Sequence, residues 1–171
     1  KVDTIYVGGI SLMSEPNGTE IENFIAKESS KKIVFYDPNV RPNFIEDRSL
    51  FIQRFEKILS QSDIIKISEE DLEWLYPDGS FEEIYKQWLE LGLSIIVLTR
   101  GSEGAIIKTK NCEATSRGEK VEVVDTIGAG DIFNGALLFS LSNHKSFSKK
   151  DLINIDKESL EKSLKFANKI A

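Results

Sequence analysis

Four short apolar runs, separated by longer amphipathic stretches, constrain the fold of this 171-residue sequence more than any other feature. The runs are TIYVGG, KIVFYD, DIIKIS and SIIVLTR. Their apolar residues are nearly continuous instead of alternating with polar ones, which is typical of strands that helices cover on both faces. The sequence therefore predicts an α/β fold in which flanking helices cover a mainly parallel central sheet.

The stretches between the runs carry apolar residues at helical spacing. Thr19 with Glu22, and Ser80 with Glu83, match the capping box that opens a helix. The first helix is expected from about Thr19 to Glu28. The expected buried faces consist of Ile21, Phe24 and Ile25 in the first helix, Leu50, Phe51, Phe55, Ile58 and Leu59 in the second, and Phe81, Ile84, Tyr85, Trp88 and Leu89 in the third.

The pattern changes after Arg100. GSEG predicts a tight turn, AIIKTK and the segments near Cys112 and Val121 predict short strands, and helices are expected again at Gly128 and about Lys157. No repeat or low-complexity linker divides the chain, so we expect residues 1–171 to form a single domain.

Composition and charge exclude several classes of function. The net charge of -6 offers no general attraction to nucleic acid or to an anionic membrane, so neither is expected as a partner. The single cysteine, Cys112, is compatible with a reducing cytoplasm and is expected to be a partly buried strand residue. One histidine, His144, provides too few ligands for a multi-histidine metal site and is expected at the surface.

The segment DTIGAGDIFNGALLFSL, residues 125–141, begins as a glycine-rich turn and continues as an apolar helix. Gly128, Ala129 and Gly130 have small side chains or none, so the backbone amides at the start of the helix can approach a ligand closely. Together with the positive end of the helix dipole, these amides predict an anion site. The helix is expected to bury one face, made of Ile132, Phe133, Ala136, Leu137, Ser140 and Leu141.

The glycine spacing differs from two familiar phosphate loops. The glycines at 128, 130 and 135 are spaced too widely for the dinucleotide fingerprint, and Ala136 and Leu137 stand where a P-loop requires Lys and Ser or Thr. Asp131 has two interpretations at this point. It could accept the proton of an attacking hydroxyl during phosphoryl transfer, or it could merely complement the helix dipole in the first turn.

The segment from Asp125 to Asp131, DTIGAGD, resembles the second signature of the ribokinase-like, or PfkB, carbohydrate kinases. Further matches occur in the order that the family places them: DPNVRP at 37–42, KISEEDLEWL at 66–75, TRGSEGA at 99–105 and LKFANKIA at 164–171. The resemblance covers the whole chain and is greatest to fructokinases. It implies a layered ribokinase-like fold and an ATP-dependent transfer of the γ-phosphoryl group to a sugar hydroxyl, with fructose as the expected sugar.

The resemblance assigns roles to the glycine turn. Asp131 would be the catalytic base, and the amides of Gly128, Ala129 and Gly130 would form the anion hole. Asp125 would lie near the sugar and near a site for a monovalent cation such as K⁺, to which the carbonyl group of Ile127 would contribute.

The resemblance also implies a nucleotide site. Thr99, Gly101 and Gly104 match the nucleotide-binding turn of the family, although GSEG is equally compatible with an ordinary hairpin turn. Asn168 lies where relatives place an asparagine near adenine, although an exposed helical asparagine would look the same from sequence.

Two further segments are assigned by the resemblance. Asn39 and Arg41 would contact the substrate, while without the family DPNVRP is a proline-bounded turn. Ser68 and Asp71 stand where many relatives carry Asn-x-x-Glu to organise Mg²⁺ and phosphate. Because both side chains are shorter than the family's, Asp71 would reach Mg²⁺ through water, with Ser68 near the nucleotide. The same pair also matches a capping box.

The family normally has an N-terminal part with a first glycine signature and a β-sheet lid over the sugar, and neither is found in these 171 residues. We interpret the chain as the C-terminal nucleotide-binding and catalytic portion of a sugar kinase, which would be a poor enzyme alone because the lid excludes water. The full-length protein could be a homodimer. Two alternatives stay open: a kinase for 2-keto-3-deoxygluconate, ribose or another sugar, and a nucleotide-binding module without catalysis. A plain structural α/β domain would leave the joint occurrence of several ordered motifs unexplained.

Overall fold

Helices cover both faces of a single six-stranded sheet in the computed structural model, which describes residues 2–118, 127–143 and 147–171. The strands are β1 (Thr4–Gly8), β2 (Ile33–Asp37), β3 (Ile64–Ser68), β4 (Ile95–Thr99), β5 (Ala105–Lys108) and β6 (Glu113–Ser116). The helices are α1 (Asn17–Glu28), α2 (Arg48–Leu59), α3 (Glu69–Leu75), α4 (Phe81–Glu90), α5 (Ala129–Ser142), α6 (Lys149–Ile153) and α7 (Lys157–Ile170).

The strands lie in the sheet in the order in which they occur in the sequence. β1 to β4 are parallel, and β5 and β6 continue the sheet as antiparallel strands. The antiparallel pair follows the tight turn Gly101–Glu103, a single turn of 3-10 helix. The predicted mainly parallel sheet is therefore confirmed. Val121 and His144 lie outside the described residues.

Two hydrophobic cores form on the two faces of the sheet, because successive side chains of a strand point to opposite sides. Val34 and Tyr36 of β2 face a core built with α1 to α4. Ile33 and Phe35 face a second core built with α5, α6 and α7. The central strands β2, β3 and β4 contribute apolar residues to both cores, which explains their near-continuous apolar runs in the sequence.

Three residues at the edges of the predicted buried helix faces are exposed instead, so the prediction was wrong for them. Phe24 is 50% exposed, Leu50 44% and Ile132 48%, although each has an apolar side chain at helical spacing. In each case the core is filled by neighbours on the same helix, such as Ile25 and Phe55, both of which are almost fully buried. An offset of one residue, about 100° around the helix, is enough to move a side chain from the core to solvent.

Two predicted capping boxes were also wrong. α1 begins at Asn17, two residues before Thr19, and Glu22 instead pairs with Arg54 and Lys57 on α2. At α4 the Ser80 hydroxyl group contacts the Glu83 carboxylate at 2.8 Å but makes no cap to a backbone amide. The short helix α6, which Ser148 caps through the amide of Asp151, was not predicted.

No helix in the described parts of the chain is both long enough and apolar enough to cross a lipid bilayer.

The aromatic cluster on the α1 to α4 side should make the largest single contribution to stability. The Phe55 ring is 1% exposed and packs against Tyr36, Tyr76 and Trp88, with ring centroids 5.8, 6.3 and 6.3 Å away. We predict that Phe55→Ala lowers the free energy of unfolding by about 3–5 kcal/mol, because it leaves a cavity in a packed core. Urea denaturation would measure the loss. The control Phe24→Ala, at an exposed position, should stay within about 0.5 kcal/mol of the wild type.

Candidate active site at the carboxyl edge of the sheet

The four parallel strands end in polar or small residues at one edge of the sheet. β2 ends at Asp37, β3 at Ser68 and β4 at Thr99, and the register places Ser68 directly opposite Thr99. Because parallel strands present their carboxyl ends at the same edge, the residues predicted from three separate segments are brought to one side of the molecule. This edge is where open parallel α/β sheets bind their ligands.

The first turn of α5 lies against this edge. Gly128 precedes the helix with φ of +82°, in the left-handed region that glycine adopts without strain. The amides at the start of a helix have no carbonyl acceptor within it, and they lie at the positive end of its dipole. Ala129 and Gly130 are the first two residues of α5, so the predicted anion-binding geometry is present in the backbone.

The carboxylate of Asp131 does not point into packed hydrocarbon. Asp131 is exposed, and its Oδ1 accepts a hydrogen bond of 3.5 Å from the Tyr6 hydroxyl group of β1. The buried face of α5 is formed instead by residues such as Phe133 and Leu137. Asp131 is therefore accessible to a ligand that approaches the strand edge, and its place in the first turn also complements the helix dipole.

A buried polar network lies beneath the first turn of α5. The Asp37 carboxylate accepts hydrogen bonds from Lys66 Nζ at 3.1 Å and from Asn134 Nδ2 at 2.6 Å. Asn134 Nδ2 also lies 3.1 Å from the Tyr6 hydroxyl oxygen, to which it donates. Lys66 Nζ is 3.4 Å from the position that a Cβ atom on Gly130 would occupy. The network thus links β1, β2 and β3 to α5.

Strand alternation explains why these side chains meet. Asp37 lies two residues after Phe35, and Lys66 two residues after Ile64, so both point to the sheet face that α5 covers. Tyr6 packs edge-on against Phe35 on the same face, with ring centroids 5.6 Å apart. The sequence analysis missed Tyr6, Lys66 and Asn134.

Two of these omissions had a signal in the sequence. Lys66 interrupts an otherwise apolar buried strand, and Asn134 falls beside Phe133 on the apolar face of α5. A buried charged or amide group is costly without a partner, so each implied a polar neighbour.

Tyr6 remains a hydrogen-bond donor over the physiological range. The pKa of the Tyr6 hydroxyl group is raised to about 12, chiefly by partial burial and next by the nearby negative charge of Asp37. The phenol is therefore protonated at neutral pH and can donate its proton to Asp131.

Ser68 and Asp71 both make structural hydrogen bonds. The Ser68 hydroxyl group caps α3 by accepting from the Asp71 amide at 3.1 Å, which is one half of the predicted capping box. The other half was wrong, because the Asp71 carboxylate accepts from the Val40 amide at 3.0 Å. Burial raises the pKa of Asp71 above its usual range. Asp71 thus ties α3 to the loop that follows β2.

The residues present fit a Mg²⁺ ion only with help from water or substrate. Within residues 2–118, 127–143 and 147–171, no three acidic, histidine or cysteine side chains cluster closely enough to hold a metal ion. Asp71 has one oxygen engaged by Val40 and is 7% exposed, so a single oxygen remains for a bridging water. Mg²⁺ commonly keeps several waters and binds through one or two carboxylates and substrate phosphates.

The loop after β2 places Asn39 and Arg41 at the same edge. Asn39 has φ of +39°, and its amide donates to Asp37 Oδ1 at 3.1 Å. The Arg41 guanidinium group is exposed and donates to the carbonyl oxygen of Val40 at 3.0 Å. The loop is anchored through Asp37 and Asp71, which leaves the Arg41 side chain available at the surface.

Two of the predicted nucleotide residues, Gly104 and Asn168, meet at the end of β6. Gly104 has φ of +95°, and a Cβ atom there would overlap the carbonyl oxygen of Ser116. Asn168 of α7 donates to the same carbonyl oxygen at 3.1 Å, so it is not a freely exposed helical residue. Gly101 has φ of +50°, and the Thr99 hydroxyl group donates to the Ile67 carbonyl oxygen at 3.4 Å.

A cleft opens beside this contact, with a volume of about 380 Å³. It is lined by Thr115, Ser116, Arg117, Lys165, Asn168 and Lys169. Three of these six residues are basic, which suits an anionic ligand.

The predicted monovalent-cation site involves Asp125 and the carbonyl group of Ile127. Asp125 lies outside the described residues. Ile127 is 88% exposed. The predicted monovalent-cation site therefore stays a prediction.

The buried pair of Lys66 and Asp37 should be essential for stability. We predict that Lys66→Met lowers the free energy of unfolding by about 3 kcal/mol or more, because it leaves the Asp37 carboxylate buried without its counter-charge. Urea denaturation would measure this loss. The matched control is Lys162→Met, which removes an exposed pair with Glu158 and should leave the free energy of unfolding nearly unchanged. Equal effects of the two substitutions would contradict the prediction.

The chain is similar to known fructokinases over most of its length. A fructokinase of Rhizobium leguminosarum bv. trifolii is 35% identical over 158 residues, which cover 92% of this chain and 48% of the relative. Fructokinase-2 of Zea mays is 32% identical over 166 residues, which cover 95% of this chain and 48% of the relative. The chain thus spans about half the length of the curated relatives that it matches.

The fold is shared with a solved structure. A Vibrio cholerae O395 fructokinase crystallised with fructose, ADP and a calcium ion superposes with a TM-score of 0.84 and 27% identity, covering 98% of this chain and 53% of that one. The expected ribokinase-like α/β fold is thereby confirmed. The profile described as pfkB family carbohydrate kinase matches residues 1–171. The chain belongs to the pfkB family of carbohydrate kinases.

Proposed function

We propose that this chain is the nucleotide-binding and catalytic part of an ATP-dependent sugar kinase. The proposal rests chiefly on one observation: the exposed Asp131 carboxylate stands in the first turn of α5, beside the amides of Gly128, Ala129 and Gly130. A proton acceptor and an anion-binding helix terminus thus lie side by side at the carboxyl edge of the sheet. Phosphoryl transfer to an alcohol requires both groups.

The proposed phosphoryl transfer uses the Asp131 carboxylate and the amides in the first turn of α5. The Asp131 carboxylate accepts the proton of a sugar hydroxyl group as its oxygen forms a bond to the γ-phosphorus atom of ATP. The bond from that phosphorus to the oxygen bridging to the β-phosphate breaks, and ADP leaves with the electron pair. Negative charge on the moving phosphoryl group is stabilised by the first-turn amides and the helix dipole.

The nucleotide would lie along the turn after β4 and the end of β6. Thr99, Gly101 and Gly104 would approach the phosphates, and Ser68 faces the same edge from β3. Asn168 would stand near the adenine ring, beside the basic cleft. The support for this placement is the contact of both Gly104 and Asn168 with the carbonyl oxygen of Ser116.

Mg²⁺ would be held by Asp71 through water and by the phosphates of ATP, where it would neutralise charge on the leaving group. A monovalent cation such as K⁺ would be held by Asp125 and the carbonyl group of Ile127. In a related fructokinase of Vibrio cholerae O395 the crystal structure contains fructose, ADP and potassium ion.

Fructose is the proposed sugar, supported by the fructokinases among the relatives. Asn39, Arg41 and Asp125 would contact it, with the Arg41 guanidinium group donating to hydroxyl oxygens. We place the protein in the cytoplasm, where ATP and sugars are available and a single cysteine stays reduced. The full-length protein would act as a homodimer.

Asp131→Asn tests the catalytic assignment. In the full-length protein we predict that kcat falls by roughly 10²-fold to 10⁴-fold, because an amide cannot accept the proton, while ATP affinity is retained. A coupled ADP-release assay and calorimetric titration with ATP would measure the two quantities. The control Asp156→Asn alters a second aspartate at a helix N-terminus, the cap of α7, and should leave kcat unchanged. An unchanged kcat in Asp131→Asn would show that Asp131 is not the catalytic base.

A panel of four sugars and nucleosides tests the substrate. We predict that the full-length protein has its highest kcat/KM with fructose among fructose, 2-keto-3-deoxygluconate, ribose and adenosine. A higher kcat/KM with another compound of the panel would keep the kinase assignment and change the proposed sugar. ATP binding with no turnover on any of the four would favour a nucleotide-binding module without catalysis.

A further inference from the structure

The hydroxyl group of Tyr6 and the side-chain amide of Asn134 form a chain that leads from a buried charge pair to the exposed Asp131 carboxylate. Asp37 anchors the chain, Asn134 bridges Asp37 and Tyr6, and Tyr6 contacts Asp131. Their arrangement fixes the direction in which each proton is shared.

The orientation of the Asn134 amide is set by Asp37. A carboxylate beside Lys66 offers only acceptor oxygens, so a donor must face it. Asn134 Nδ2 lies 2.6 Å from Asp37 Oδ2. With the amide reversed, its carbonyl oxygen would face the carboxylate oxygen at that short separation, which electrostatic repulsion forbids. Nδ2 therefore occupies this side.

The second hydrogen of Asn134 Nδ2 determines the state of Tyr6. It is donated to the Tyr6 oxygen at 3.1 Å, so that oxygen acts as an acceptor. A phenol has a single proton to donate, and Asp131 Oδ1 is the acceptor within reach, at 3.5 Å. The proton of Tyr6 is thus directed toward Asp131.

This orientation has a cost that packing alone does not explain. Asn134 is 3% exposed, and within the described residues its Oδ1 is buried without a hydrogen-bond partner. Leaving a buried acceptor unpaired is unfavourable, because its hydration is lost without a replacement. An apolar side chain of similar size on the buried face of α5 would avoid that cost, so the amide is better explained by the two hydrogen bonds that it donates.

The length of the last contact is also informative. At 3.5 Å the contact from the Tyr6 hydroxyl group to Asp131 is longer than an ordinary O–H···O hydrogen bond, whose oxygens lie about 2.5–3.0 Å apart, so it is a weak one. A weak donor restricts the carboxylate to a preferred orientation and leaves its lone pairs available for the proton of an incoming hydroxyl group. The Tyr6 ring itself is held by its edge-on contact with Phe35, on a strand of the sheet.

We propose that Tyr6, held by Asn134, is a positioning residue that aims the Asp131 carboxylate at the substrate hydroxyl group. This inference rests on the proposed function, because it assigns Asp131 as the base. Tyr6 takes no proton in the reaction and acts only through Asp131. Loss of its hydroxyl group should therefore slow the chemical step without changing nucleotide binding. The stability of the fold should also be unchanged, because Tyr6 is 43% exposed and water can replace its oxygen as the acceptor for Asn134 Nδ2.

The test is a double-mutant cycle in the full-length protein, with kcat measured on the four-compound panel named above. Tyr6→Phe should lower kcat roughly 10-fold to 100-fold, the scale expected for a misaligned reacting group, with KM for ATP and the urea midpoint unchanged. In the Asp131→Asn background the same substitution should have no further effect on the residual rate. Tyr85→Phe, which removes the hydroxyl group of another partly buried tyrosine, is the matched control and should match the wild type.

Each outcome separates the two proposals. An unchanged kcat in Tyr6→Phe, with a large loss in Asp131→Asn, would overturn the positioning role and leave the kinase assignment intact. An equal effect of Tyr6→Phe in both backgrounds, or a matching fall in the urea midpoint, would show a structural role and would also overturn it. No effect of Asp131→Asn would overturn the proposed base, and the positioning role with it.

Discussion

The carboxylate of Asp37 is the point on which the candidate site depends. It lies 1% exposed at the end of β2 and accepts hydrogen bonds from Lys66 on β3, Asn134 on α5 and the amide of Asn39 in the following loop. A buried carboxylate is tolerated only when its charge and its lone pairs are satisfied. By gathering these donors, Asp37 fixes the first turn of α5 relative to the strand ends.

The sheet explains how such a cluster can be built with apolar strands. β2 supplies Phe35 and β3 supplies Ile64 to the core under α5, and the next residues on that face, Asp37 and Lys66, are at the edge where the core ends. Polar groups at the next inward-facing position after the apolar layer are shielded from water, so they interact strongly with one another. They are also close enough to the surface to affect a ligand. The fold thus determines the location of the chemistry.

Much of this arrangement could be predicted from sequence. The apolar runs gave the parallel strands, and the glycine turn gave the start of α5, because both depend on local patterns. The partners of Asp131 could not be predicted in the same way. Tyr6 lies 125 residues away in the chain, and Asn134 reaches Tyr6 and Asp37 only after the strands have paired.

The wrong details have a similar cause. Glu22 had a local partner available in Thr19, but a tertiary ion pair with Arg54 took its place. The Asp71 carboxylate likewise accepts a hydrogen bond from the Val40 amide instead of completing the predicted capping box. In both cases the carboxylate accepts from the more buried of the donors within reach. A donor that water cannot reach is the more unfavourable one to leave without a partner.

The two glycines that flank Ala129 are constrained differently by the structure. A side chain at residue 128 would meet open space, and its obstacle would be the left-handed backbone. At residue 130 the backbone is helical, and an added Cβ atom would only touch the ammonium group of Lys66, at 3.4 Å. Invariance of glycine at 128 among homologues would therefore record torsional strain and would not require a ligand to explain it, whereas invariance at 130 would need a cause outside the described chain.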